Sequence, residues 1–526
     1  MTMPDHARQP DGASPDSDLN QLRERRKEAA QRKRRIIFNN DGNTIVVSLK
    51  DKEVSAEALL ADRTTGLVGT HVDSIFYCSW SASLGLCTHM GHVAERFYAR
   101  TGDYTANRTR EFHDKGLDPL RIMVEFCKAN DIEIFWSMRM NDIHDSYPQW
   151  SELVSQFKRD NPELLFGTPG GPPPFGRWSG LDYGRPEVRD RAFRLLEDVC
   201  RRYDVDGIEL DFMRHMPHFR CNAEGEDCAQ NERDMMTGLL RRVREMTEQI
   251  GLKRNRPILV AVRLPASSSC CNACGLDVIA WLEQGLVDML VPGEWEFSPW
   301  EKWVALGQKH GVPVYPCLSW TGSKKRKGPP SMQEGIPIGS LYARALNVWH
   351  SGADGVYLFN AFDPDSPLWR ELGNREILAG LDKDYFPHGY WRVLLGQDVR
   401  DMPRFIGVPL PPFLERPVYL RSGERHTVTM IIGDDLSGRS QGPPSKPHVT
   451  LSLGVSGLAR VDALAVRLND RAVPNGSVEA NWVSYPVAAA MIRQGTNLVQ
   501  VTNRDGSGGT VALRDVHIRI TYPRAC

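Results

Sequence analysis

The chain has 526 residues, more than one hydrophobic core ordinarily supports, so at least two domains are expected. A hydrophobic share of 41% and a charged share of 25% are those of a globular protein, and a formal net charge of −1 offers no overall field for nucleic acid or an anionic membrane. No apolar run has membrane-spanning length, and eleven cysteines without a recognisable export signal favour reduced thiols and a cytoplasmic setting.

Met1 to about Asn20 is rich in Pro, Asp and Ser, and Gln21 to Arg35 is strongly basic, with Arg23, Arg25, Arg26, Lys27, Arg32, Lys33, Arg34 and Arg35. Residues 1–34 are therefore expected to be a disordered or helical basic leader; a phosphate-binding arm is the functional alternative. From Arg35 onward, short apolar runs alternate with amphipathic ones. Strands are predicted over Arg35–Phe38, Val72–Trp80, Ile132–Met138, Gly207–Phe212, Ile258–Leu264, Met289–Pro292, Val312–Leu318 and Gly355–Phe359. Helices are predicted over Pro119–Ala129, Val188–Tyr203, Arg233–Ile250, Leu276–Gln284 and Ile338–Ser351. Eight such units predict an α/β fold, a (β/α)8 TIM barrel over 35–400. No phosphate-cradling glycine motif follows the first strand, which disfavours a dinucleotide fold.

Asp204-Val205-Asp206-Gly207, Leu286-Val287-Asp288 and Gly352-Ala353-Asp354-Gly355 repeat one helix-to-strand phrase, read as structural. Cys270, Cys271 and Cys274 lack a second Cys/His pair at zinc-finger spacing, so no metal is expected there; Cys221 and Cys228 could pair across a loop. Beyond Asp363, prolines (Pro403, Pro409, Pro411, Pro412, Pro417) lead into alternating strands such as His448–Leu453, Ala463–Leu468, Asn497–Thr502 and Val516–Ile520. A β-sandwich over 401–526 is predicted. Val466-Arg467-Leu468-Asn469-Asp470, Gln494-Gly495-Thr496-Asn497 and Leu513-Arg514-Asp515-Val516 resemble phrases of the galactose-binding-like jelly rolls attached to many glycosidases; packing or dimerisation is the alternative role.

In a parallel barrel the carboxyl ends of the strands share one pocket. Those ends carry Asn39, Asn40 and Asp41; Cys78 and Trp80; Arg139, Asn141, Asp142 and His144; Glu209, Asp211, Arg214, His215 and His218; Arg263; Glu294, Trp295 and Glu296; Ser319 and Trp320; and Asn360 and Asp363. In Asp206-Gly207-Ile208-Glu209-Leu210-Asp211-Phe212, period-two alternation turns Glu209 and Asp211 toward the axis if Ile208 and Leu210 face the helices. Glycoside hydrolysis needs two carboxyl groups flanking one bond, and Asp211 with Glu294 is the preferred pair, Glu209 the third candidate. Substrate contacts are expected from Asn40, Trp80, Arg139, Asp142, His144, Arg214, His215, Arg263, Trp295, Glu296, Trp320 and Asn360. Arg139, Arg214 and Arg263 are also candidate partners for the buried carboxylates. The basic run Lys324-Lys325-Arg326-Lys327 is either a solvated loop or a recruiter of anionic substrate.

The stretch Val205–Phe212 resembles the strand-four signature of glycosyl-hydrolase-like barrels, notably the family-10-like group. That resemblance implies a (β/α)8 fold acting on glycans; the likeness to several α-glycosidase barrels, with a strand-four Asp as nucleophile and an acid on a later strand, maps onto Asp211 and Glu294. A chitinase-type family-18 pattern would require Glu two residues after Asp211, where this chain has Met213. The expectation is a glycoside hydrolase acting on an oligosaccharide or polysaccharide, neutral or anionic, without cofactor or metal. The alternatives are a silent glycan-binding barrel and a metal-assisted sugar deacetylase or lyase using the histidines.

Overall fold

The computed structural model describes residues 15–265, 267–293, 299–387, 417–437 and 447–523. Eight parallel strands form one sheet: β1 (Ile36–Asn40), β2 (Val72–Tyr77), β3 (Glu133–Arg139), β4 (Gly207–Asp211), β5 (Leu259–Leu264), β6 (Met289–Pro292), β7 (Cys317–Ser319) and β8 (Val356–Phe359). Its order is β6-β5-β4-β3-β2-β1-β8-β7, and a parallel bridge between Leu290 and Val314 joins its two edges. The sheet is thus a nearly closed barrel, as the alternation of apolar runs predicts. All these strands are buried on both faces, as parallel strands under helices must be.

The repeated aspartates have a physical function. Asp73, Asp206, Asp288 and Asp354 each accept the backbone N–H at or beside the start of the preceding strand: Arg35 at 2.7 Å, Ile134 at 2.9 Å, Val260 at 2.8 Å and Val314 at 2.8 Å. Every even strand therefore latches the odd strand before it, satisfying donors that lie at the barrel floor. Gly207 follows one latch because a Cβ there would sit 2.1 Å from the Phe135 ring, which fills the barrel at that level beside Phe76.

The basic leader is a docked helix, α1 (Pro15–Ala30), across the barrel floor. Leu22 is buried, while Arg23 and Arg26 bind Glu248 on the helix α4 (Gln230–Arg254) that follows β4. Just beyond it, Arg34 is fully buried, forked onto Glu133 at 2.6 and 2.7 Å and bonded to the Ala29 and Ala30 carbonyls. Those charges are paired within the fold. Between α1 and α4 lie α2 (Pro119–Ala129) and α3 (Pro186–Arg202); α5 (Val278–Glu283), α6 (Trp300–His310) and α7 (Ile336–His350) complete the main outer helices. No helix among the described residues is long and apolar enough to cross a membrane.

Two antiparallel sheets follow. One has the order β9 (Lys383–Tyr385), β18 (Val511–Thr521), β12 (His448–Ser456), β16 (Trp482–Val487), β15 (Ser477–Glu479), with β10 (Val418–Leu420) also on β18. The other runs β11 (Arg425–Ile432), β17 (Gly495–Asn503), β13 (Leu464–Leu468), β14 (Arg471–Ala472). Lys383–Tyr385 pairs with β18, so the sandwich recruits a strand before residue 401; the expected 400/401 boundary itself lies outside the described residues. The sandwich rests on α7, where Asn347 donates to the Ile431 carbonyl at 3.0 Å and Ala343 joins the sandwich core. Two of the phrases likened to galactose-binding jelly rolls interlock: Asn469 donates to Asn497 at 2.8 Å and accepts from Leu498 N–H, both asparagines being buried. Their side chains hold turns together.

Candidate functional site

Register fixes the levels inside the barrel. Arg139, Asp211 and Arg263 are cross-strand neighbours, Ser137, Glu209 and Ala261 lie one inward step deeper, and Phe135, Gly207 and Leu259 lie below those. At the upper level Arg263 donates to Asp211 Oδ2 at 3.0 Å and Met213 N–H to Oδ1 at 2.9 Å. One hydrogen bond per oxygen among the described residues leaves lone-pair capacity on a carboxylate that is 3% exposed. The Arg263 guanidinium lies 4.2 Å from the centre of the Phe359 ring, which backs it from β8.

Glu209 is fully buried. Its Oε2 accepts from Ser137 Oγ at 2.5 Å and from Tyr357 OH at 3.1 Å, while Asn39 donates to that same tyrosine oxygen at 2.7 Å; Oε1 has no partner among the described residues. Burial pushes the Glu209 carboxyl well above its ordinary range, and the neighbouring Asp211 carboxylate pushes it further. The third expected catalytic carboxyl thus lies one inward step below Asp211, buried beneath the mouth.

A second cluster adjoins the first. Arg139 is shared between Asp41 at 2.9 Å and Asp142 at 3.0 Å. Asp142 also bonds His144 Nδ1 at 2.9 Å, and Arg214 bonds His144 Nε2 at 3.2 Å. Burial alone would raise the Asp142 carboxyl, but the His144 ring and Arg139 outweigh it and hold it well below the carboxylate range. Burial, then the adjacent His144, drives His215 well below the usual imidazole range, and its Nδ1 accepts the Ile143 N–H at 3.2 Å.

Asp142, His144 and His215 are metal-ligand types with donor atoms within 4.8 Å of one another. Their chemistry does not fit a cation. Asp142 is engaged by Arg139 and His144, His144 Nε2 by Arg214, and His215 Nδ1 by a backbone N–H, with two guanidinium groups alongside. The arrangement orients Arg139 and Arg214.

The other expected residues divide. Asn40 turns away from the inward parity and its Oδ1 accepts from Gly42 N–H at 3.0 Å, so the inward asparagine is Asn39. Trp80 stands in left-handed backbone (φ 69°), a costly conformation for a bulky side chain, and leans on Phe97, Tyr104 and the Arg139 guanidinium. Trp320 is half-buried with Lys324 Nζ 5.4 Å from its ring centre, and Asn360 (φ 59°) donates to Thr321 at 3.3 Å. His218 is fully buried and bonded to the Phe212 carbonyl, which makes it a packing residue. Glu294, Trp295 and Glu296 lie outside the described residues.

Sequence reasoning missed the fully buried pair Lys158–Asp145 at 2.7 Å, which braces the loop carrying Asp142 and His144 through a Lys158 bond to the Asp142 carbonyl. Nothing local announces a buried lysine on a short helix. It also missed Tyr357, whose alternation with Phe359 on β8 was the available signal. Cys221 and Cys228, a possible pair in the sequence, bring their sulfurs to 3.3 Å.

No family model matches the chain, and no curated protein matches its sequence. Solved structures that it resembles include glycoside hydrolases of several families. The family GH36 α-galactosidase AgaA of Geobacillus stearothermophilus is 10% identical at a TM-score of 0.38 over 93% of this chain, which spans only 58% of that enzyme's length. The glycoside hydrolase domain of PgaB from Bordetella bronchiseptica is 12% identical at 0.41, over 65% of this chain and 99% of that one. A family 18 N-acetylglucosaminidase from Paenibacillus barengoltzii is 12% identical at 0.35, over 64% and 97%.

Proposed function

We propose that the barrel mouth is a glycoside hydrolase site in which Asp211 is one of two working carboxyl groups and Glu294, after β6, the other. The observation that carries this reading is the setting of Asp211: an inward carboxylate at the carboxyl end of β4, fixed by Arg263 and by Met213 N–H, above a raised-pKa Glu209. A hydrolytic carboxylate must be oriented before substrate arrives, and two different donors fix this one in rotation. Strained backbone at Trp80 and Asn360 around the same rim supports a functional mouth, since such strain concentrates at working sites.

In this reading Asp211 attacks the anomeric carbon or activates a water, and Glu294 protonates the departing glycosidic oxygen. Arg263 positions Asp211, and Trp80 and Trp320 offer ring faces to sugars. A screen of neutral and anionic polysaccharides for released reducing ends tests the proposal. Wild-type protein releases them from at least one glycan; Asp211→Asn and Glu294→Gln each lower that rate by about a hundredfold or more with the fold intact. Undiminished release by Asp211→Asn ends the proposal.

A further inference from the structure

Among the described residues, the cations inside the mouth other than Arg214 are matched to carboxylates. Arg139 is held by Asp41 and Asp142, Arg263 by Asp211, and Lys158 by Asp145. Arg214 forms no ion pair among the described residues. Among the described residues its one hydrogen bond runs to His144 Nε2, and its buried Nε has no partner. The guanidinium is half-buried and lies 5.7 Å from the Phe359 ring, the same ring that Arg263 covers, which puts both arginines at the mouth. A partly desolvated guanidinium with donors to spare is poorly compensated unless an oxyanion arrives.

A second observation is independent of the first. On the rim after β7, Lys324 and Lys327 are exposed and have no carboxylate partner among the described residues. Lys324 stands against the Trp320 ring, so a cation and an aromatic face are presented together.

We propose that the glycan bound at this mouth carries an acidic group, a uronate carboxylate or a sulfate ester, which the Arg214 fork receives while the Lys324–Lys327 segment attracts the chain. The inference rests on the reading of the mouth as a glycan site. Both acidic groups are oxyanions that accept two parallel N–H bonds, and a neutral hydroxyl cannot replace them.

The test measures affinity by titration calorimetry for uronic-acid oligosaccharides, the same oligosaccharides as methyl esters, and sulfated oligosaccharides. Wild-type protein is expected to bind one acidic form about tenfold to a hundredfold more tightly than its neutral counterpart. Arg214→Gln removes that preference and leaves the ester affinity unchanged, while Arg214→Lys, which keeps the charge but loses the fork, retains part of it. The carboxylate and sulfate arms say which oxyanion is taken. Equal affinity for acid and ester across the panel, a parallel loss for both in Arg214→Gln, or no binding of any acidic glycan overturns the inference. Reducing-end release is followed separately: acid-selective, Arg214-dependent binding without cleavage upholds the inference and defeats the hydrolase reading, whereas cleavage of neutral glycans alone does the reverse.

Discussion

Replacing Glu209 by Gln should make the protein more stable at neutral pH while leaving its stability near pH 4 almost unchanged. In the unfolded chain this carboxyl titrates near 4.5, whereas burial and the Asp211 charge push it up to about 8 in the fold. A carboxyl raised on folding destabilises the native state only where the unfolded chain has lost its proton and the fold has kept it. The penalty is absent below the unfolded value, grows as pH rises, and levels off above the folded one. Between those limits the native state holds one extra proton, so stability falls by about 1.4 kcal/mol per pH unit. From pH 5.5 to 7.5 that amounts to roughly 3 kcal/mol, which Glu209→Gln, equal in size and uncharged, does not lose. Urea denaturation of both proteins across this range measures the difference. Parallel stability curves would refute the reasoning, since they would mean that Glu209 ionises with no help or hindrance from the fold.

Glu133→Ala leaves the fully buried Arg34 without its carboxylate and should cost about 3–5 kcal/mol in denaturant titration; a loss below about 1 kcal/mol would remove the pair from the account of the barrel floor. Asp354→Ala strips the acceptor from the Val314 N–H at the β6–β7 closure and should cost about 1–3 kcal/mol, with faster amide exchange at Val314 as the local signature. Asn469→Ala should destabilise the sandwich by about 1–3 kcal/mol without altering glycan affinity; a selective loss of affinity would restore a binding role to that turn.

The barrel was legible because buried parallel strands must be continuous apolar runs, and a run such as Leu259–Leu264 has few other ways to exist in water. Pro119–Ala129 was legible to the residue because Asp118 caps it and Pro119 opens it. The docked leader was not, because a run of arginines looks solvated until Glu248 and Glu133, far along the chain, come to meet it. At the site, the parity of Glu209 and Asp211 was readable from period two, but their depth was not. One step of about 7 Å along β4 separates a mouth carboxylate from a wholly buried carboxyl. The choice between Asn39 and Asn40 turned on a single residue of phase, which adjacent asparagines do not reveal.

In the proposed function Asp211 does chemistry rather than merely balancing Arg263. Kinetics of Asp211→Asn on whichever glycan the wild type cleaves, paired with calorimetric affinity for that glycan, tests it most directly. The account predicts a turnover number lower by about a hundredfold or more with affinity within a few-fold of wild type. Wild-type turnover with weakened binding, or loss of both together with the fold, would make Asp211 a structural partner of Arg263 and leave the barrel without its proposed reaction.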